Sequence, residues 1–96
     1  MAKVIIQAQT AKNLTTLIKL ALENQLRIIG FGIAKTKKKL AELEMKYGMK
    51  SKDFYEEFQK GERGDEILYI RWAGEYETLE RLQKDQAELK DLELCS

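Results

Sequence analysis

A heptad-like repeat of apolar residues is the feature that most constrains how this chain can fold. Two interleaved sets recur every seven positions: Leu22, Ile29, Thr36 and Leu43, and Leu26, Ile33, Leu40 and Tyr47. This spacing places all of them on one side of an α-helix. At about 1.5 Å per residue the seam is roughly 38 Å long, more than a small globule needs for an internal helix. The repeat predicts one long helix over residues 13–47.

The limits of this helix and the overall composition support the same class. Asn13 or Thr10 can cap its start, and Gly48 stands where a helix commonly ends. The chain has no proline and only six glycines. Since 96 residues suit a single domain, we expect residues 1–96 to form one all-α domain.

Two further helices follow Gly48. We expect Ser51 to cap a short helix over 51–60, in which Phe54 and Phe58 share a face and after which Gly61 stops the chain. A second long helix is expected over 65–94, with Asp65 in its first turn. Two long helices joined by a short one indicate an antiparallel bundle or a coiled-coil-like dimer. In that arrangement the polar end, 82–96, projects or meets a second chain.

The first twelve residues are open to more than one interpretation. The run KVIIQAQ, Lys3 to Gln9, is β-branched enough for a short strand. A lone strand needs a partner, so it would pair across a dimer. A flexible or helical start is equally compatible with these residues.

Charge is distributed unequally between the two halves. Residues 1–50 contain 10 basic and 3 acidic residues, whereas residues 51–96 contain 7 basic and 13 acidic ones. A basic helix packed against an acidic one, within a chain or between two copies, explains this better than a basic arm on nucleic acid.

The composition excludes several kinds of catalytic site and metal site. The chain has no histidine, so it cannot form a Ser-His pair, an HExxH zinc site or an ExxH di-iron motif. Its single cysteine, Cys95, cannot form an internal disulfide. Some carboxylates remain as candidates for catalysis around Tyr69: Asp65, Glu66, Glu75 and Glu77. Their spacing is ordinary for a solvated helix, so we expect no enzyme, no metal and no cofactor.

No apolar segment approaches the roughly 18–20 residues that a membrane span needs, and VIIQA is too short for a signal-peptide core. We therefore expect a cytoplasmic protein with no membrane contact.

The stretch IIGFGIAKTKKK, residues 28–39, resembles a phosphate-binding loop only superficially. Gly30 and Gly32 are followed by Lys35 where a dinucleotide fingerprint needs its third glycine, and no GK[ST] ends the run. Two glycines inside a helix indicate either a kink or close approach of another helix. We favour close packing.

Three sets of residues are candidates for binding. We expect a partner protein to contact Tyr69, Trp72, Tyr76, Leu82 and Leu89. We expect self-association, as a homodimer, through Leu26, Ile29, Ile33, Leu40 and Leu43. A second apolar stripe on the long helix consists of Leu17, Ala21, Ile28, Phe31 and Ala34. It predicts that the first half of this helix meets more than one neighbour.

Nucleic-acid binding is the alternative. KVIIQAQ would pair with its copy as a ribbon in the major groove, with Lys3, Gln7 and Gln9 on one face. The lysine cluster would bind phosphates: Lys35, Lys37, Lys38 and Lys39. No aromatic residue is interleaved with these lysines for base stacking.

The run KYGMKSKDFYEEFQKGERGDEILYIRWAGEYETLERLQ, residues 46–83, resembles a pattern in small prokaryotic proteins. Its signature residues are Tyr47, Gly48, Ser51, Phe54, Phe58, Gly61, Gly64, Asp65 and Trp72. Those proteins look like the antitoxins of two-gene toxin–antitoxin pairs, of the TumA kind. The resemblance implies a non-enzymatic helical protein that binds and neutralises a toxin encoded next to it. A homo-oligomeric coiled-coil scaffold is a further alternative.

Overall fold

The computed structural model describes the backbone of residues 2–95 and the side chains of residues 11–94. It contains three helices: α1, Ala2–Tyr47; α2, Ser51–Gln59; and α3, Ile67–Cys95. The two long helices pack against each other and the short helix joins them, which confirms the predicted all-α architecture. No strand occurs within 2–95.

Helix α1 is longer than the sequence pattern predicted. It begins at Ala2 rather than residue 13 and spans 46 residues. The predicted strand at Lys3–Gln9 is therefore wrong for this chain, and the alternative of a helical start is the one observed. A lone strand leaves its backbone N–H and C=O groups unpaired, whereas a continuing helix pairs them internally. The low helix propensity of Val and Ile is a smaller effect, because each costs a helix only a few tenths of a kcal/mol.

The first two helices end at the glycines that the sequence indicated. Gly48 and Gly61 have φ angles of 63° and 76°, in the left-handed region. Beyond each glycine the chain folds back: the N–H of Met49 donates to the Glu44 carbonyl at 3.3 Å, and that of Glu62 donates to the Glu57 carbonyl at 3.0 Å. This is the Schellman arrangement, which turns the chain sharply after each helix.

The start of α2 differs from the prediction that Ser51 caps it. The N-cap residue is Lys50, whose side chain makes no capping hydrogen bond. The carboxylate of Glu44, in the last turns of α1, instead accepts a hydrogen bond from the Ser51 N–H at 2.8 Å. The negative charge of this carboxylate is also stabilised by the positive, N-terminal end of the α2 dipole. Capping by a neighbouring helix leaves the Ser51 hydroxyl available for another contact.

The long helices run antiparallel in a register fixed by two contacts. Lys39 pairs with Glu75 at 3.4 Å, and seven residues earlier on α1, Gly32 lies against Leu82, seven residues later on α3. The last turns of α3 lie beside residues 19–23, where Glu93 shares a surface depression with Lys19 and Leu22. Residues 2–18 of α1, the arm, therefore extend roughly 26 Å past α3.

This overhang reverses a prediction. We expected residues 82–96 to project or to meet a second chain, but residues 82–95 lie along α1, and the N-terminal end of α1 projects instead. The reason is helix length, because α1 has 46 residues and α3 has 29.

The resulting molecule is elongated and has a small hydrophobic core. It measures 68 × 22 × 21 Å and its radius of gyration is 20.4 Å, against about 12–13 Å for a compact domain of this length. Its accessible surface is 7570 Å², where a compact monomer of the same mass exposes about 5,700 Å². The buried apolar residues are Ile29, Ile33, Leu40, Phe54, Trp72 and Ala73.

The two glycines of α1 have different surroundings. A Cβ added at Gly32 would lie 3.3 Å from Cδ1 of Leu82, whereas one added at Gly30 would meet nothing within 4 Å. Close packing, the favoured interpretation of the pair, thus holds at Gly32 alone.

We expect Gly30→Ala to raise the free energy of unfolding by about 0.5–1 kcal/mol, because alanine is the better helix former and the space is open. Gly32→Ala gains the same propensity but must displace Leu82, so its gain should be smaller or its sign reversed. Urea unfolding followed by circular dichroism measures both. Equal gains at the two positions would contradict the close approach at Gly32.

Candidate interaction surfaces

An aromatic cluster joins all three helices at the end of the molecule where residues 47–67 connect α1 to α3, which we call the hinge. The rings of Phe54 and Trp72 stack with centroids 3.9 Å apart and planes within 5°. Tyr47, at the end of α1, stacks on Trp72 with ring centroids 5.3 Å apart, and it meets Tyr69 in an edge-to-face arrangement at 5.9 Å. Trp72 and Phe54 are each 1% exposed. This cluster is the centre of the chain's hydrophobic core.

The polar edge of Trp72 is also paired. Its indole Nε1 donates a hydrogen bond to Oγ of Ser51 at 2.9 Å, and both residues are buried. A buried N–H without an acceptor would cost about 1–3 kcal/mol. Ser51 is thus the acceptor that lets a tryptophan occupy this position.

The predicted partner-binding residues have internal roles in the structure. Trp72 is buried, and Tyr69 and Tyr76 are half-buried and packed against the hinge core. Leu82 lies against Gly32, and Leu89 shares a groove with Ile29 of α1. Their burial is explained within one chain, because the antiparallel packing of α3 on α1 covers the side of α3 on which they lie.

The predicted self-association residues likewise face α3. Ile29, Ile33 and Leu40 are buried, and Leu26 and Leu43 are half-buried on the same side of α1. The repeat identified the covered side of the helix correctly, but the helix that covers it belongs to the same chain.

The lysine cluster does not form one continuous patch. Lys35, Lys37 and Lys38 are exposed, while Lys39 pairs with Glu75 of α3. Lys35, Lys38 and Lys39 are three and four residues apart and share one side of α1, whereas Lys37 leaves the helix on another side. The predicted ribbon is absent because α1 includes that segment, and the side chains of Lys3, Gln7 and Gln9 lie outside the described residues.

A groove of about 330 Å³ lies between α1 and α3 near the hinge. Leu43 and Leu68 contribute its apolar part, and its charged residues have both signs: Lys39, Glu42, Lys46, Arg71 and Glu75. The mixture of signs indicates a surface solvated between two helices rather than a pocket selective for one charge.

The candidate catalytic carboxylates are dispersed. Asp65 and Glu66 are exposed before α3, Glu75 pairs with Lys39, and Glu77 accepts a hydrogen bond from the hydroxyl of Tyr55 at 2.6 Å. Within the part of the chain that the structure describes, no group of three or more metal-ligating side chains could hold a metal ion.

A second seam on α1 is uncovered. Six residues spaced alternately three and four apart form it, and we call it the outer seam: Leu14, Leu17, Ala21, Asn24, Ile28 and Phe31. Its large apolar members are between 52% and 70% exposed, and the flanking Ile18 and Leu20 are 50% and 55% exposed. Because Ile28 directly precedes the buried Ile29, the outer seam lies about 100° around the axis from the side that faces α3.

Part of this surface was visible in the sequence and part was missed. The stripe through Leu17, Ala21, Ile28 and Phe31 predicted a second neighbour. Leu14 and Asn24 complete the three-four spacing, but the predicted stripe did not include them. The role of Glu44 at the start of α2 has no sequence signature, since it depends on the turn between two helices.

We expect Ser51→Ala to lower the free energy of unfolding by about 1–3 kcal/mol, because it leaves the indole N–H of Trp72 buried without an acceptor. The measurement is urea unfolding followed by tryptophan fluorescence. Thr16→Ala is the matched control: it removes an exposed hydroxyl that donates to the Lys12 carbonyl and should change stability by less than about 0.5 kcal/mol. Similar effects for the two variants would refute the role of the buried bond.

The Tyr55 hydroxyl should titrate at high pH. Its hydrogen bond to Glu77 raises the pKa of Tyr55, and burial and the negative charge of Glu77 raise it further. Since the folded-state pKa is raised, the associated stability is present below the usual tyrosine pKa of about 10 and is lost as pH rises through the higher folded value.

We expect Glu77→Gln to lower the pKa of Tyr55, because it removes the charge that disfavours tyrosinate. Residue-resolved NMR of the tyrosine ring carbons during an alkaline titration measures this. Glu62→Gln changes an exposed carboxylate that does not contribute to the Tyr55 shift and serves as the control. An unchanged Tyr55 titration in Glu77→Gln would rule out the assigned cause.

Two results complete the description of these surfaces. Among the described residues, no helix carries an apolar stretch that would reach across a bilayer. Comparisons with protein families, with curated proteins and with solved structures found no match to this chain.

Proposed function

We propose that this chain is a non-enzymatic protein-interaction module that binds another protein through helical packing on the outer seam of α1. The observation that carries the proposal is the exposure of that seam, from Leu14 at 54% to Phe31 at 70%, on a helix whose other side is already packed. Contiguous apolar residues at helical spacing are the usual surface for docking another helix.

The size of the exposed surface supports an interaction. At about 200 Å² for a large side chain in the open, the apolar residues of the seam and its flanks leave roughly 600–700 Å² uncovered. That area reaches the upper range of the largest apolar patch on ordinary monomers, about 300–600 Å². A partner of standard interface size would cover about 800 Å² on each side.

The arm adds a second argument. Residues 2–18 extend past the end of α3, so no other helix of the chain lies beside them. Helices in water obtain most of their stability from packing an apolar face rather than from propensity. Packing against another polypeptide would supply that stabilisation to the arm.

The resemblance of residues 46–83 to antitoxin-type proteins supports one class of partner, a toxin encoded in the adjacent reading frame. Under this proposal the protein neutralises the toxin by holding it in a stable complex. A second copy of the chain is the other partner class that the sequence predicts. An antitoxin needs no catalytic group of its own, which agrees with the dispersal of Asp65, Glu66, Glu75 and Glu77.

The test is co-expression with the product of the adjacent reading frame. We expect the two proteins to purify as one complex and the toxicity of the neighbour to disappear. The variant Leu17→Lys/Phe31→Lys places two charges on the seam and should abolish both effects, since burying an unpaired charge is strongly unfavourable.

The matched control is Met45→Lys/Ile67→Lys, which makes the same chemical change at residues 87% and 71% exposed but outside the seam. It should bind and protect like the original protein. Failure of the unaltered chain to bind or protect would overturn the antitoxin function. Normal binding by the seam variant would place the interaction elsewhere on the molecule.

A further inference from the structure

We infer that the occupant of the outer seam, in the absence of any other protein, is the outer seam of a second copy of this chain, packed antiparallel. The inference rests on the proposed function, since it takes the outer seam as a binding surface and names one partner for it. The reasons are the spacing of the seam, its charge distribution and its area.

The spacing of the seam residues is the same when the seam is followed in either direction, so two antiparallel copies can pair position by position. With a two-fold axis between Ala21 and Asn24, Leu14 of one copy lies opposite Phe31 of the other, and Leu17 lies opposite Ile28. All six positions of each copy then face the other copy, and a shift in either direction leaves residues of the seam uncovered. Large residues meet at both ends, and the small Ala21 lies near the axis, where it permits close approach of the helices.

The polar member of the seam is also accommodated. Asn24 lies next to the axis, opposite Ala21 of the other copy, and its Oδ1 already accepts a hydrogen bond from Nη2 of Arg27 at 2.5 Å. A polar residue at one position of a helical seam is a recognised determinant of register.

Charge favours the antiparallel over the parallel arrangement. The next seam position after Phe31 is Lys35, so a parallel pair would place Lys35 against its own copy, with the rest of the lysine cluster alongside. In the antiparallel pair residue 35 lies opposite residue 10, and the two copies of Lys35 are roughly 38 Å apart. That distance exceeds the screening length of about 8–10 Å. The lysine cluster then faces residues 6–10, which carry no charge.

The area is sufficient for a stable pair. Complete burial of the seam and its flanks in two copies would remove at most roughly 1,200–1,400 Å² of surface, at the lower end of the range of about 1,200–2,000 Å² for specific interfaces. The same pairing places each arm beside the hinge half of the other α1. The excess surface of the single chain and the unpartnered arm are thus both covered by one contact.

The first experiment measures mass by light scattering across a micromolar concentration series. The full chain should have twice its 11.2 kDa, and Leu17→Lys/Phe31→Lys should be monomeric with unchanged helicity. We expect its self-association to weaken by at least about 30-fold, the effect of losing a single hot-spot residue, because two seam residues are changed. Met45→Lys/Ile67→Lys should remain dimeric. A monomeric original protein, or a seam variant that is still dimeric, would overturn the inference.

The second experiment determines direction by cross-linking. In a Cys95→Ser background, Leu14→Cys/Phe31→Cys should form a covalent dimer on mild oxidation. Neither single variant should, because two copies of either position lie roughly 26 Å apart in the antiparallel pair, beyond the Cα separation of about 7 Å that a disulfide tolerates. Cross-linking of Leu14→Cys alone would instead show a parallel pair and refute the arrangement.

These results are separable from the test of the proposed function. A monomeric chain that still binds the neighbouring gene product through the seam would refute the second-copy arrangement alone. A seam-dependent dimer that binds no such product would retain the arrangement and refute the antitoxin function.

Discussion

The stack of Trp72 on Phe54, with the indole N–H held by Ser51, is the contact on which the rest of this structure depends. These three residues come from α2 and α3, and Tyr47 brings the end of α1 to the same place. A 96-residue chain with so few buried apolar residues has little else to fix how its helices meet. The aromatic cluster sets the hinge, and the hinge sets the register in which α3 returns along α1.

That register determines which surfaces are internal and which are left for other molecules. Because α3 is shorter than α1, its return covers one side of α1 only as far as residues 19–23. Residues 11–18, which lie beyond this limit, and the side of α1 away from α3 stay exposed. The interaction surface is thus a product of unequal helix lengths as much as of sequence pattern.

The sequence was a good guide to the helices and a poor one to their partners. Periodicity identified the covered side of α1, including Ile29, Ile33 and Leu40, because burial against any helix imposes the same spacing. It did not distinguish a helix of the same chain from that of another, since the pattern records burial and not the identity of the neighbour. For the same reason Trp72 was expected at a partner interface and lies in the core.

Sequence signals for helix ends were accurate where they depend only on neighbouring residues. Gly48 and Gly61 marked the ends of helices, because a left-handed residue there is a requirement of the turn itself. The start of α2 was misjudged, because its cap comes from Glu44, whose position depends on the fold of that turn. A strand at Lys3–Gln9, one of the alternatives that the sequence left open, does not form because the β preference of Val and Ile weighs little beside the pairing of backbone amides in a continuous helix.

The overhang of α1 has a consequence for how the chain loses structure. Contacts between helices are concentrated at the hinge and thin out toward the arm, so the cost of local opening should decline along α1 from its C-terminal end to its N-terminal end. Amide hydrogens near Leu40 would exchange only with global unfolding, and those of residues 11–18 by fraying. One helix would then contain both strongly protected and weakly protected amides. Association along the arm would raise the protection of the weakly protected ones.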